Sequence, residues 1–372
     1  MLRLNHHSFE IIGAGLAGLS AALTIARHGA RVRVYEKRRY PCMKLCGEFL
    51  SHEGFAKLGW LTRKTAAELQ EQLRARSLSR FAWVGRDGQT LNLSLEPKGW
   101  GVRRDLLDSW FARECISSGV EIFWETSVPL DGSEAQEVDR KRLYAVGKER
   151  GNLKSPYFAV KGYCKEKLAG LDVLNGLDVA LYQIQGGYIG FTRMFDGELS
   201  YCALFDRRRT SKVWKYVTWR HLCEGALQTN RVLTGWTDKV ESLLRTHVSS
   251  ARFDFSTPGP VCDGRWRLGD SAQLVPPFVG DGMSMAIEGG ELAGRMAAKN
   301  ATDFEYRRAW EKKFRARIRL SKTIHPILWS DRAHAPLVSV LKRNPRVVRW
   351  IYSNTRGRPE MDAGSYAKQV VL

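Results

Sequence analysis

The sequence predicts an α/β protein: a parallel layer, an antiparallel sheet inserted into it, and a helical C-terminal tail. Three observations carry that expectation. Residues 9–36 read as strand, glycine-rich turn, helix and strand. Residues 80–95 and 188–205 carry hairpin patterns, and residues 265–298 return to strand, loop and helix.

Phe9-Glu10-Ile11-Ile12 is a short apolar strand, and Gly13-Ala14-Gly15-Leu16-Ala17-Gly18 turns the chain. Leu19 to His28 has helical spacing in Leu19, Leu23 and Ala26 and stops at Gly29, a usual helix terminator. Val32 and Val34 alternate with Arg31 and Arg33 in a second strand ending at Glu36; the third strand of this unit does not follow directly. Phe81–Val84 and Leu91–Leu93 flank Arg86-Asp87-Gly88 as a hairpin. A helix is expected from Arg104 to Gly119 on Leu106, Leu107, Trp110, Phe111 and Cys115, with strands at 120–124 and 143–146. Tyr188–Phe195 and Glu198–Phe205 pair across Asp196-Gly197. From Ala301 the chain reads as helical, basic and aromatic, with breaks expected at Pro326, Pro336 and Pro345.

A length of 372 residues with 44% hydrophobic content suits two joined domains and argues against long disorder. Lys and Arg number 59 against 39 Asp and Glu, and the net charge of +20 favours an anionic partner. The candidates are a dinucleotide, an acidic small molecule or an anionic lipid surface. Zinc-finger spacing and RNA-recognition signatures are missing, so no nucleic acid is expected. The seven cysteines are odd in number and mostly scattered, and the N-terminus does not read as a signal peptide, which together suggest a reduced, cytoplasmic setting. Windows of about 18 uninterrupted apolar residues, the length of a spanning helix, do not occur. Cys42 and Cys46 lack a partnering ligand cluster and the eight histidines lack ligand spacing, so no metal is expected.

Gly13-x-Gly15-x-x-Gly18 after a strand and opening a helix is the dinucleotide fingerprint. The first glycine allows the turn, the second lets backbone approach a pyrophosphate, and the third lets helix and strand pack closely. The helix N-terminus offers free N–H groups and a positive dipole end to phosphates. Glu36, at the end of the next strand, is placed to accept from an adenosine ribose, and its charge disfavours a 2′-phosphate; Lys37, Arg38 and Arg39 partly blunt that repulsion.

Trp266-Arg267-Leu268-Gly269-Asp270-Ser271-Ala272, followed by Pro276-Pro277-Phe278-Val279-Gly280-Asp281-Gly282-Met283 and a small-residue helix, resembles the second flavin signature of a known superfamily. That superfamily contains the aromatic hydroxylases, flavin halogenases and geranylgeranyl reductases. The resemblance implies FAD: Asp270 on the ribityl chain, the Gly280 loop beside the ring, and Gly282 and Met283 at its pyrimidine edge. A helix N-terminus there would stabilise negative charge on the reduced ring. Cys46-Gly47-Glu48 looks like the corresponding segment of geranylgeranyl reductase-like flavoproteins, and Arg104 resembles the arginine that leads their next helix towards the cofactor.

With that resemblance the fold expected is a Rossmann-like FAD-binding domain with an inserted antiparallel β-sheet substrate domain and a helical C-terminal tail. Residues 1–75, 101–155 and 263–300 fall to the FAD-binding part, 76–100 and 156–262 to the substrate part, and 301–372 to the tail. Two departures bear on chemistry. Val146 stands where aromatic hydroxylases carry an acid, and the halogenase tryptophan–proline motif is missing at Tyr188–Met194. Halogenation is thereby disfavoured, and the electron donor is left open between NAD(P)H and an external reductase partner.

Cys46, Glu48, Tyr188, Phe278 and Asp281 are the residues expected near the ring; Cys46, Glu48 and Tyr188 are the candidate catalytic groups. Cys46 also reads as a packed, inert thiol and Glu48 as a loop anchor. The reactions left open are C=C reduction or desaturation of a hydrophobic small molecule, monooxygenation through a flavin hydroperoxide, and a non-catalytic electron relay. The tail interleaves Trp310, Phe314, Ile318, Leu328, Trp329, Val338, Leu341, Val347, Val348, Trp350 and Ile351 with Lys and Arg. It either caps the substrate domain or lies peripherally on an anionic membrane surface.

Overall fold

The computed structural model describes residues 8–130, 141–148, 155–165, 167–168, 171–172, 174–195, 197–210, 227–234, 247–251, 253, 255, 259–328 and 330–357. Two sheets organise them. The first runs in the order Val261–Cys262, Arg265–Arg267, Lys141–Tyr144, Ser8–Ile12, Arg31–Glu36, Glu121–Trp124. Ser8–Ile12 lies between parallel neighbours on both sides, with Ile12 opposite Tyr35 and Tyr144. Lys141–Tyr144 is therefore the missing third strand, reached only after more than a hundred residues of other structure. Such a strand is covered on both faces, which is why Phe9, Ile11 and Ile12 are consecutive or nearly so and all buried.

The first helix spans Leu16–Arg27, three residues earlier than its apolar spacing indicates, with Gly15 at its N-cap. Leu16 to Ile25 are all buried, because the helix is held between the sheet and a second helix, Gly282–Ala298. The two cross at backbone contact. A Cβ on Gly290 would lie 2.1 Å from the Ala17 carbonyl oxygen, and one on Gly294 2.7 Å from that of Ala21. The small-residue face of the second helix thus packs on the first helix; Ala286 is the member that reaches the cavity described below.

The second sheet runs His247–Ala251, Tyr157–Lys165, Glu198–Asp206, Gly187–Arg193, Val179–Ile184, Arg76–Val84, Thr90–Gly101, Phe49–Leu50. It is antiparallel except where Val179–Ile184 meets Arg76–Val84. The 76–101 hairpin and the strands after 156 share this one sheet. So does Phe49–Leu50, so the first 75 residues do not belong to the parallel layer alone. Of the expected turn at Asp196-Gly197, Asp196 lies outside the described residues.

The tail forms helices Asp303–Leu328, Asp331–Arg343 and Pro345–Asn354; Trp329 lies outside the described residues. Pro326 and Pro336 sit inside helices rather than at breaks, which corrects the sequence expectation. Each lies within two turns of a helix end, where one lost backbone bond is tolerated if an apolar face packs, as Val338 and Leu341 do. The second of these helices starts instead at Ser330, whose Oγ accepts from the Ala333 N–H at 3.3 Å.

Gly290→Val forces a branched side chain into the helix crossing. It is expected to destabilise the chain by about 1–3 kcal/mol or more, read as a lower urea midpoint; an unchanged midpoint would contradict this packing.

Candidate functional site

At the C-terminal edge of the first sheet, Gly13 adopts φ +104 and donates its N–H to the Tyr35 carbonyl at 2.7 Å. A Cβ on Gly13 would sit 2.3 Å from the Ala145 oxygen, and one on Gly18 2.0 Å from the Gly13 oxygen. These two glycines are demanded by the turn and by helix–strand contact. Gly15 differs: nothing lies within 4 Å of its built Cβ, and it faces a cavity of about 820 Å³. Glu36 lines that cavity and also braces the turn, with Oε2 accepting from the Ala14 N–H at 2.9 Å and Oε1 from the Arg38 N–H at 3.1 Å. Lys37 stands exposed beside it on the cavity rim.

The second element reaches the same cavity. Arg265–Arg267 leads into Gly269, held at φ +60 with its built Cβ 3.0 Å from that of Ala17. Asp270 is exposed on the cavity wall, yet the protein around it still pushes its carboxyl upward, opposed by Arg104. Gly280, at φ +65, leads into the helix that begins at Gly282; Gly280, Gly282 and Met283 all line the cavity.

Both helix N-termini on this cavity lack a side-chain cap: neither Gly15 nor Asp281 supplies one. Asp281 departs from its expected place beside the ring. It is buried away from the cavity lining, gripped by Arg317 through contacts of 2.7 and 2.8 Å, and Arg317 also binds Glu288 at 3.0 Å. The N–H groups it leaves uncapped are oriented donors for an anionic group.

Cys46-Gly47-Glu48 crosses between the two sheets. Glu48 has φ +59 and is wholly buried, and its Oε1 accepts from the Arg104 N–H at 2.8 Å, Lys161 Nζ at 2.8 Å and Tyr163 Oη at 2.6 Å. It therefore caps the Arg104–Ser117 helix and ties it to the second sheet. Lys161, itself fully buried, is a partner that sequence reasoning missed; a lysine in an alternating strand carries no sign of its counter-ion. Arg104 lines the cavity and is held side-on by Asp108 at 3.0 Å. The Cys46 sulfur accepts from the Glu48 N–H at 3.3 Å, and burial pushes its thiol up, so it stays protonated at neutral pH.

The far half of the cavity is apolar. Tyr188 lines it with its ring edge-on to Phe278 at 5.9 Å, and Phe278 meets Trp83 in the same way at 6.1 Å. Ile324, Leu341, Val348 and Ile351 of the tail helices close it, so the tail is part of the chamber wall. The residues present fit FAD: an open approach at Gly15, two uncapped helix N-termini, carboxylates at Glu36 and Asp270, and one cavity joining them to apolar space. Among the described residues no cluster of metal ligands occurs.

Residues 11–46 match the profile of the NAD(P)-binding Rossmann-like domain. The probable electron transfer flavoprotein-quinone oxidoreductase YgcN of Escherichia coli is 38% identical over 114 residues, covering 30% of this chain and 26% of that protein. The chain thus matches about a quarter of the length of that relative. Digeranylgeranylglycerophospholipid reductase 2 of Methanosphaera stadtmanae is 23% identical over 327 residues, 80% of this chain and 79% of the reductase. Among solved structures, PqsL, a probable FAD-dependent monooxygenase from Pseudomonas aeruginosa, superimposes with a TM-score of 0.66 at 18% identity, over 90% of this chain and 100% of that one. In its fold, and over parts of its sequence, the chain is thus similar to proteins named as flavin-dependent oxidoreductases.

Burial, and the Glu288 carboxylate against the pull of Arg317, push Asp281 up to about 7. The folded chain then holds this proton more tightly than the unfolded one, where aspartate titrates near about 4. Stability is expected to fall as pH rises from about 4 to about 7 and to level off above that. Asp281→Asn should remove this part of the slope; denaturant titrations across the range measure it, and superimposable profiles of the two proteins would count against it.

Proposed function

We propose that the chain is an FAD-dependent oxidoreductase that reduces or desaturates a C=C bond in a hydrophobic small molecule. The observation that carries this is the single cavity running from both nucleotide elements into an apolar chamber. Gly13, Gly15 and Gly18 would receive the pyrophosphate at the first helix N-terminus, Glu36 the adenosine ribose with Lys37 beside it, and Asp270 the ribityl chain. Arg104, Gly280, Gly282 and Met283 would flank the ring. When bound, the flavin supplies electron transfer; the protein supplies placement, charge and exclusion of water. Tyr188 and Cys46 then face the substrate, Cys46 as a neutral thiol able to donate a proton weakly. Glu48 acts as a positioning residue, since its Oε1 is taken by three donors.

The reductase reading draws support from the Cys46-Gly47-Glu48 segment and from the similarity to the archaeal reductase over most of both chains. Monooxygenation is the second reading, favoured by the likeness to PqsL. Room in the apolar chamber speaks for turnover rather than a bare electron relay. Electrons would come from NAD(P)H or from a reductase partner, as the likeness to an electron transfer flavoprotein-quinone oxidoreductase suggests.

Gly15→Trp grows into the cavity rather than the core, so the purified variant is expected to lose its flavin absorbance while its melting temperature stays near that of the parent. Retained flavin would remove Gly15 from the site. Anaerobic turnover with a chemically reduced donor should preserve C=C reduction; product that forms only with oxygen would favour the second reading.

The tail has a face suited to a membrane surface. Val340, Val347 and Trp350 are exposed among Lys342, Arg343, Arg346 and Arg349, and among the described residues no helix is long and apolar enough to cross a bilayer. We propose peripheral contact with anionic lipid through this face. Val347→Asp with Trp350→Asp should lower co-sedimentation with phosphatidylserine vesicles at least tenfold; equal co-sedimentation rejects the contact.

A further inference from the structure

The apolar half of the chamber carries a guanidinium that no sequence signal marks. Arg356 follows the last tail helix and lines the cavity. Its Nη1 donates to the Tyr352 carbonyl and to Thr355 Oγ1, each at 3.1 Å, and its Nη2 donates to the Val279 carbonyl at 3.2 Å. The guanidinium lies 3.7 Å from the centre of the Tyr352 ring and 5.6 Å from that of Phe49. Val279 precedes Gly280, so the group stands at the loop assigned to the flavin ring, on the side closed by the tail.

Nε is buried and has no hydrogen-bond partner. Three of the five N–H donors that an arginine owns are thus used, and the Nε–H is among the two that remain. No carboxylate among the described residues lies within ion-pair distance of Arg356. Asp281 and Glu53 act on it only from farther away, and Asp281 is already gripped by Arg317. Arg356 is half-buried, with its Nε out of reach of solvent, and a partly desolvated cation without a counter-ion is costly unless a ligand supplies one. Burial accordingly pulls its pKa down.

We infer that Arg356 receives the carboxylate of an apolar carboxylic acid whose hydrocarbon body lies in the chamber against Tyr188 and Phe278. This deepens the proposed function, on which it rests for the reaction, by naming a substrate class for the same site. A planar fork of two N–H groups matches a carboxylate, and one positive charge balances one negative charge. A phosphate monoester, at about −1.5 to −2, would leave excess charge in apolar surroundings.

The test is titration calorimetry of the FAD-loaded protein with decanoate, decan-1-ol and decyl phosphate. Decanoate is expected to bind at least tenfold more tightly than the alcohol, about 1.4 kcal/mol, and more tightly than the phosphate. Arg356→Met should bring acid and alcohol within twofold of each other, with FAD content unchanged; Arg356→Lys, which keeps charge without the fork, should fall between. Equal binding of acid and alcohol by the parent, a preference that survives in Arg356→Met, tighter binding of decyl phosphate, or no binding of any of the three would overturn the assignment. Should Arg356→Met fail to fold, the parent's acid-to-alcohol ratio and Arg356→Lys still decide. The heat of binding does not depend on turnover: protein that carries no flavin overturns the oxidoreductase reading, and the same titration on that protein still tests Arg356.

Discussion

Everything on the cavity depends on the contact between the Leu16–Arg27 and Gly282–Ala298 helices. Their axes approach until backbone meets backbone, because Gly290 and Gly294 present no Cβ to the Ala17 and Ala21 carbonyl oxygens. Only at that separation do both N-termini open onto one space, with Gly15 on one side and Gly282 on the other. Helix dipoles and uncapped N–H groups act over about one turn, so two of them reinforce each other only when they converge. A bulkier seam would push the two ends apart and leave two weak anion sites.

The second organising feature is the placement of buried charge. Glu48 with Lys161 joins the parallel layer to the second sheet, and Arg317 with Asp281 and Glu288 joins the tail to the cavity helix. Such pairs add little net stability over apolar substitutes, because desolvation offsets attraction. What they supply is geometry: each accepts only a partner in one position, so the three chain regions meet in a single arrangement. The Arg317 cluster also explains why the tail can serve as chamber wall while most of its other cations face solvent.

Legibility in the sequence followed the range of the interaction involved. The Gly13, Gly15 and Gly18 spacing was readable because the turn and the helix start are local demands on the backbone. Gly269-Asp270 and Gly280-x-Gly282 were readable for the same reason and by resemblance. Glu48 was noticed, but its partner Lys161 was not, since the pairing is across strands from a distant segment. Asp281 is expected near the ring as part of the glycine-bearing loop, but its carboxylate is held by a buried arginine from the distant tail, a pairing that no local pattern marks. Breaks are expected at Pro326 and Pro336 from proline's poor helix propensity, and the structure differs because tertiary packing near a helix end outweighs propensity.

By itself the sequence determined the α/β class, the two glycine-rich elements and the acids that stand beside them, because each arises from conformations that only a few neighbouring residues control. Tertiary structure alone decided that these elements share one cavity and that Phe49–Leu50 closes the edge of the second sheet. It also decided that the basic tail forms a wall with Arg356 set into it. Those outcomes depend on which distant surfaces are buried together, and burial is a property of the packed chain rather than of any segment in it.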